Sequence, residues 1–283
     1  MVIANKIGTL YIVATPIGNL KDFSFRAQET LQKVKLIAAE DTRHSATLLK
    51  HFNITTPIVS LHEYNELERS KVLIAHCQNG DSIALISDAG TPLISDPGYR
   101  LVQQARLTGI LITPIPGPCA LIAALSVAGL PSDRFVFEGF LSAKPSVRYT
   151  RLNQLAKETR TLIFYEAPHR LLDTLEAMVK VLGSKRKVAL AKELTKLYET
   201  VWEGSLNLLL TQLKDDSILS RGEFVVLVHG AEEDQEDMET KALNVLIPLL
   251  KVLPLKQAVV TGSEITGIKK NYLYQLALKL NNG

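Results

Sequence analysis

Cysteine is scarce in this chain of 283 residues. Cys77 and Cys119 are the only two, too few for a disulfide framework or a thiolate zinc site, and they make a reducing cytoplasm the expected setting. Also missing is any apolar run near the roughly 20 residues that a membrane-spanning helix requires. The opening MVIANKIGTLYIVATPIGN reads as a first buried strand and not as a signal peptide, because no small-residue cleavage site follows its apolar stretch. No G-x-G-x-x-G string occurs, which argues against a Rossmann dinucleotide site. No G-x-S-x-G nucleophile elbow occurs either. The six histidines show no H-E-x-x-H spacing, so no metal is expected.

Charge is mild overall, at +3, but it is unevenly placed. Residues 1–230 carry 26 Lys and Arg against 22 Asp and Glu, whereas Glu232–Glu239 (EEDQEDME) holds six acids and no base. Residues 241–283 then carry six Lys and a single acid, Glu264. An acidic, glycine-free run between structured segments reads as a solvated linker. The basic tail beyond it is a candidate nucleic-acid surface. These shifts divide the chain into 1–115 and 116–230, an acidic linker 231–240, and a basic helical tail 241–283.

Hydrophobic periodicity places both larger parts in the α/β class. Leu10–Ala14, Leu36–Ala39, Ile58–Ser60, Ile83–Ser87 and Ile110–Pro114 are short apolar runs ending in turn residues. Helical spacing lies between them, at Phe25–Val34, Thr42–Phe52, Glu66–Cys77 and Gly98–Thr108. This alternation predicts a mostly parallel sheet covered by helices, with ligands at the carboxyl ends of its strands. The prolines of PIPGPCALIAAL (Pro114, Pro116, Pro118) interrupt the pattern. Beyond them a mixed sheet is expected from Phe135–Phe140, Thr161–Tyr165, Val188–Lys192, Thr200–Glu203 and Phe224–His229. Helices are expected near Val147–Lys157, His169–Leu182 and Leu206–Leu213, and the tail reads as short helices with Gly262 and Gly267 as turn points.

Three strand-end strings concentrate polar chemistry. ISDAGTPLISDPGY packs two Asp, two Gly and two Pro into a long, rigid loop. Gly90 and Gly98 allow backbone geometries that other residues avoid, and Pro92 and Pro97 fix the remainder. Acids there favour a cationic or hydroxyl-rich ligand and repel a bare phosphate. AAEDTRHS sets Glu40, Asp41, Arg43 and His44 at a strand end; an ordinary capped helix start explains Asp41 but not two cations in the first turn. FYEAPHR places Glu166, His169 and Arg170 around Pro168, itself a standard first-turn residue.

The strings LYIVATPIGNLKD, AAEDTRHS, LISDAGTPLISDPG, PIPGPCALIAAL, GLPSDRFVFEGFL, FYEAPHR and GEFVVLVHG run in order over residues 8–230. Together they resemble the tetrapyrrole-methylase superfamily, and within it the branch that methylates ribosomal RNA. The resemblance implies two α/β domains of the tetrapyrrole-methylase type with S-adenosylmethionine in the cleft between them, plus a small helical C-terminal tail, in a homodimer. It implies 2′-O-methylation of a cytidine ribose in the decoding region of bacterial 16S ribosomal RNA, so the expected partner is that RNA or the 30S subunit. Carried over by position, Pro16, Asp88, Ala89, Gly90, Thr91, Pro92, Ile94, Ser95, Cys119, Ala120, Tyr165, Leu194, Glu223 and Phe224 are the implied cofactor positions. Many relatives carry Gly-Asp-Pro where Asp88–Pro92 stands here, which leaves side-chain roles in that loop open. A ribose hydroxyl is a weak nucleophile, and Glu40, Asp41, Arg43, Glu166 and His169 are the candidates for activating it or holding the RNA. A small-molecule methylase and a ligand-sensing helix-turn-helix nucleic-acid-binding protein are the competing readings.

Overall fold

The computed structural model describes residues 7–215, 222–232 and 235–281. The first sheet holds β1 (Thr9–Val13), β2 (Leu36–Ala39), β3 (Ile58–Ser60), β4 (Ile83–Ile86) and β5 (Leu111–Ile115), in the order β3-β2-β4-β1-β5. Each neighbouring pair is parallel, so each connection is a crossover: α1 (Phe25–Lys33), α2 (Thr42–His51), α3 (Glu66–Gln78) and α4 (Tyr99–Leu107). Helices on both faces bury both sides of the strands. Ile37, Ala84 and Ile86 point into one core and Leu10, Ile83 and Leu85 into the other. That two-sided burial explains why the strands read as continuous apolar runs and not as alternating ones.

Helix α5 (Ala120–Val127) leads into the second sheet, formed by β6 (Phe135–Phe140), β7 (Thr161–Glu166), β8 (Lys187–Lys192), β9 (Thr200–Ser205) and β10 (Phe224–Val228). Its order is β6-β7-β10-β8-β9; only β6 and β7 run parallel, so the sheet is mixed as expected. Helices α6 (Pro145–Leu155), α7 (Leu171–Leu182) and α8 (Leu206–Asp215) supply Leu152, Leu175, Met178 and Leu209 to its core. The helix expected to start at His169 instead begins at Leu171. Pro168–Arg170 forms a separate 3-10 turn. Because β10 is antiparallel to β7 and β8, its start at Phe224 meets the ends of both, at Glu166 and Lys192. Both sheets lie in one compact unit, Met1–Ala156 with Arg160–His229.

The second unit, Lys157–Thr159 with Gly230–Gly283, contains α9 (Gln235–Leu250), α10 (Leu255–Thr266) and α11 (Lys270–Asn281). Two expectations need correction here. The acidic stretch is helix from Gln235 onward and not linker. Met238 in that stretch packs on the unit's core. Residues 233–234 of that stretch lie outside the described residues. Gly267, at φ +74°, is the left-handed turn between α10 and α11, but Gly262 lies inside α10, where Leu246 and Leu273 pack against it. Among the described residues no helix is long and apolar enough to cross a membrane.

Candidate active site

The carboxyl ends of β1 and β4 are tied together by reciprocal backbone bonds. Thr15 N donates to Gly90 O at 2.8 Å, and Gly90 N donates to Thr15 O at 3.1 Å. Gly90 sits at φ +83°, and an added Cβ would come within 3.3 Å of Ile17 Cγ2, so the position calls for glycine on both grounds. Leu93 (φ +74°) and Ser95 (φ +68°) adopt the same left-handed region without being glycine. The loop is pinned from behind by the buried carboxylate of Glu66, which accepts from Gly98 N (3.1 Å) and Arg100 N (2.7 Å). It is pinned at its far side by Thr91 Oγ1, which donates to Pro118 O at 2.9 Å.

This loop forms one wall of a cavity of about 320 Å³, at the lower end of the roughly 300–1,000 Å³ typical of ligand pockets. Ala89, Gly90, Thr91, Ile94 and Ser95 line that wall, and Cys119 and Ala120 line the approach to α5. The opposite wall comes from the second sheet, through Tyr165 and Glu166 at the end of β7, Leu194 after β8, and Glu223 and Phe224 at the start of β10. Three of the expected cofactor positions do not line it. Pro16 and Pro92 are buried beside it, fixing the turns. Asp88 is turned toward the start of α2, where its Oδ1 accepts from Asp41 N at 3.1 Å.

The expected acceptor-side residues separate in the same way. Glu166 lines the cavity, but its fully buried carboxylate is committed: it accepts from Thr174 Oγ1 (2.6 Å) and Ala167 N (2.9 Å), with Arg170 at 3.5 Å. Asp41 is the N-cap of α2, accepting from Arg43 N and His44 N, and the Arg43 guanidinium folds back onto it. Those hydrogen bonds from Arg43 hold the Asp41 carboxyl below its ordinary range. The capping charge also explains how two cations are tolerated in that first turn. Glu40 is partly buried, and burial together with the charges of Asp88 and Asp41 raises its pKa. Glu40, Asp41, Arg43 and the exposed His169 stand outside the cavity lining.

Sequence reasoning missed Ile17, Asp96, Phe140, Ala167, Pro168, Ala191 and Val225 in the lining. Asp96 is the consequential one. Burial and the nearby Glu40 and Asp88 carboxylates push its pKa up to about 7, against the Ser87 hydroxyl that lowers it. Its signal was present in the second Asp of ISDAGTPLISDPGY.

Apolar walls from Ile17, Ile94, Leu194 and Val225, three aromatic rings and a rim of acids fit a nucleoside carrying a cationic centre better than a polyphosphate. S-adenosylmethionine is such a molecule, and these residues would hold it.

Two sheets of this topology, with a loop-lined cavity fed by both, make a two-sheet α/β fold with a ligand site at its strand ends. The family model for Tetrapyrrole (Corrin/Porphyrin) Methylases matches residues 9–209, and the chain belongs to that family. Residues 236–281 match the model of the RsmI C-terminal HTH domain. The chain is 56% identical over 274 residues to the Ribosomal RNA small subunit methyltransferase I of Pseudomonas aeruginosa, covering 96% of this chain and 97% of that one. It is 53% identical to the protein of that name in Escherichia coli O157:H7, covering 97% and 96%. Solved structures share the fold. The methyltransferase CobJ superposes with a TM-score of 0.59 at 18% identity, over 79% of this chain and 95% of that one. The uroporphyrin-III C-methyl transferase from Thermus thermophilus complexed with S-adenyl homocysteine gives 0.55 at 16% identity, over 78% and 97%.

Proposed function

We propose that this chain transfers the methyl group of S-adenosylmethionine to small-subunit ribosomal RNA, and that the acceptor is the 2′-hydroxyl of a cytidine ribose in the decoding region. The observation that carries the reading is the cavity itself, walled by loops of both sheets and rich in acids. The family and the near-full-length relatives support the RNA substrate. Bound S-adenosylmethionine supplies a methyl group already activated on a sulfonium, so positioning can contribute roughly 7–11 kcal/mol of the acceleration. The protein's share of the work is to fix the cofactor against the backbone of Ala89–Thr91, to exclude water with Ile94, Leu194 and Phe140, and to prepare the hydroxyl. A homodimer, a boundary between the two α/β domains at 115–116, and a cytoplasmic setting belong to the same proposal.

The test is incubation of the protein with labelled S-adenosylmethionine and undermethylated small subunits, followed by mapping of the label. Label on one cytidine ribose supports the reading, and label on a base or on no RNA overturns it. The helical C-terminal unit offers exposed Lys256 in the first turn of α10, and exposed Lys269 and Lys270 at the turn into α11. Changing all three to Ala should weaken RNA binding and flatten its salt dependence by up to about three phosphate contacts, with unchanged cofactor affinity. An unaltered salt slope in a filter-binding series would assign the tail to some other task.

A further inference from the structure

The cavity contains several carboxyl groups, and all but one have a structural duty. Glu166 is held by Thr174, the Ala167 N–H and Arg170. Glu223 is held by Lys196 at 3.0 Å. Just outside the lining, Asp88 receives the Asp41 N–H, Asp41 caps α2, and Glu40 receives the Asp88 N–H. Asp96 has only the Ser87 hydroxyl, and among the described residues no ion pair engages it. It nevertheless stands in the most firmly shaped part of the wall. Ser95 before it is left-handed, Gly98 after it lies at φ +127°, and Glu66 fastens the backbone at Gly98 and Arg100. An acid held rigidly in a ligand cavity, with one hydroxyl neighbour and no cation against it, is suited to engage the ligand.

We propose that Asp96 is the general base of this enzyme, taking the proton of the acceptor hydroxyl. This rests on the hydroxyl acceptor proposed above. In the step, the hydroxyl oxygen bonds to the methyl carbon and the methyl–sulfur bond breaks with its electron pair on sulfur. The hydroxyl proton passes to an Asp96 carboxylate oxygen, leaving a neutral acid, a neutral thioether and the methyl ether. A base is most effective when its proton affinity lies near the working pH, and the surroundings of Asp96 supply that. Glu40 at the end of β2 and Asp88 in the same loop raise it along with burial. Of the other groups, Tyr165 on β7 feels its charge, and the His62 ring bears on Glu40. Glu40 and Asp88 are then tuning residues. The other candidates are less well placed: the Tyr165 hydroxyl accepts from Leu121 N at 3.1 Å and burial raises its pKa, while His169 is exposed on the 3-10 turn.

The test uses the full chain with undermethylated small subunits, comparing wild type, Asp96→Asn and Asp96→Glu. Single-turnover methyl transfer is followed from pH 5.5 to 9, S-adenosylmethionine affinity is measured by calorimetry, and folding is checked by circular dichroism. Wild-type rate should rise with pH through one ionisation. At saturating S-adenosylmethionine, Asp96→Asn should lose on the order of 10²-fold or more in rate together with that ionisation, a loss greater than any accompanying loss of cofactor affinity. Asp96→Glu should recover part of the rate with a shifted profile. A folded Asp96→Asn protein that keeps rate and profile overturns the proposal, and so does one whose rate falls only in step with lost cofactor affinity. Mapping the wild-type label separates the two levels: label off the ribose defeats the hydroxyl reading, whereas label on the ribose with an indifferent Asp96→Asn defeats only the base.

Discussion

The loop after β4 and the loop after β8 use the same backbone device and opposite electrostatics. Each holds two non-glycine residues in the left-handed region on either side of an apolar cavity residue: Leu93 and Ser95 around Ile94, Glu193 and Thr195 around Leu194. Such residues cost of order 1–3 kcal/mol each and persist only where the surroundings over-determine them. In the β8 loop the acids are answered. Burial alone would raise Glu193, but the Glu223 N–H and the Lys196 ammonium outweigh it and hold the carboxyl below its ordinary range. Lys196 bridges Glu193 and Glu223 at 2.9 and 3.0 Å, and its stem lies where a Cβ on Gly18 would come within 2.5 Å. In the β4 loop the acids face one another and Glu40 at the end of β2, and both Asp96 and Glu40 are raised. The β8 loop is therefore built to hold its shape, and the β4 loop to hold and release a proton.

The largest expected effect breaks the shape that both loops share. Gly90→Val forces a β-branched residue into φ +83° against Ile17, and should abolish S-adenosylmethionine binding in calorimetry. Wild-type affinity in a folded variant would remove the β4 loop from the cofactor site. Next is Arg170→Ala, which strands the buried Glu166 carboxylate and should lower denaturant stability by about 3–5 kcal/mol; a loss below about 1 kcal/mol would show that Thr174 and the Ala167 N–H suffice. Smaller effects are expected at the rim. Glu40→Gln and Arg43→Ala should each slow methyl transfer at least about tenfold, near 1.4 kcal/mol of barrier, without changing cofactor affinity. Full single-turnover activity in both would reduce AAEDTRHS to a capped helix start.

The β4 loop was legible in the sequence because glycine and proline mark turns directly, and both sheets were legible because their strands are apolar runs of strand length. What escaped depends on tertiary placement. Leu93, Ser95, Glu193 and Thr195 carry no local sign of a left-handed backbone. Asp96 differs from Asp88 only in which way the folded loop turns each carboxyl, and Glu166 looked as reactive as any acid until Thr174, eight residues on, was seen against it. Gly262 and Gly267 have the same local signature, yet one packs helices and the other turns between them.

The distinction between the two loops is tested most directly by residue-resolved carboxyl NMR titration of the full chain without ligand. The account predicts Asp96 titrating near 7, Glu40 above its ordinary range and Glu193 below it. The stability consequences have opposite signs. The folded state binds the Asp96 proton more tightly than the unfolded chain, so Asp96 lowers stability as pH rises from the ordinary carboxylate range toward 7. Glu193 adds stability above its ordinary range, and this is lost as pH falls through its depressed value. Asp96 and Glu193 both titrating like free carboxyls would contradict the account, because the two loops would then differ in sequence but not in electrostatics.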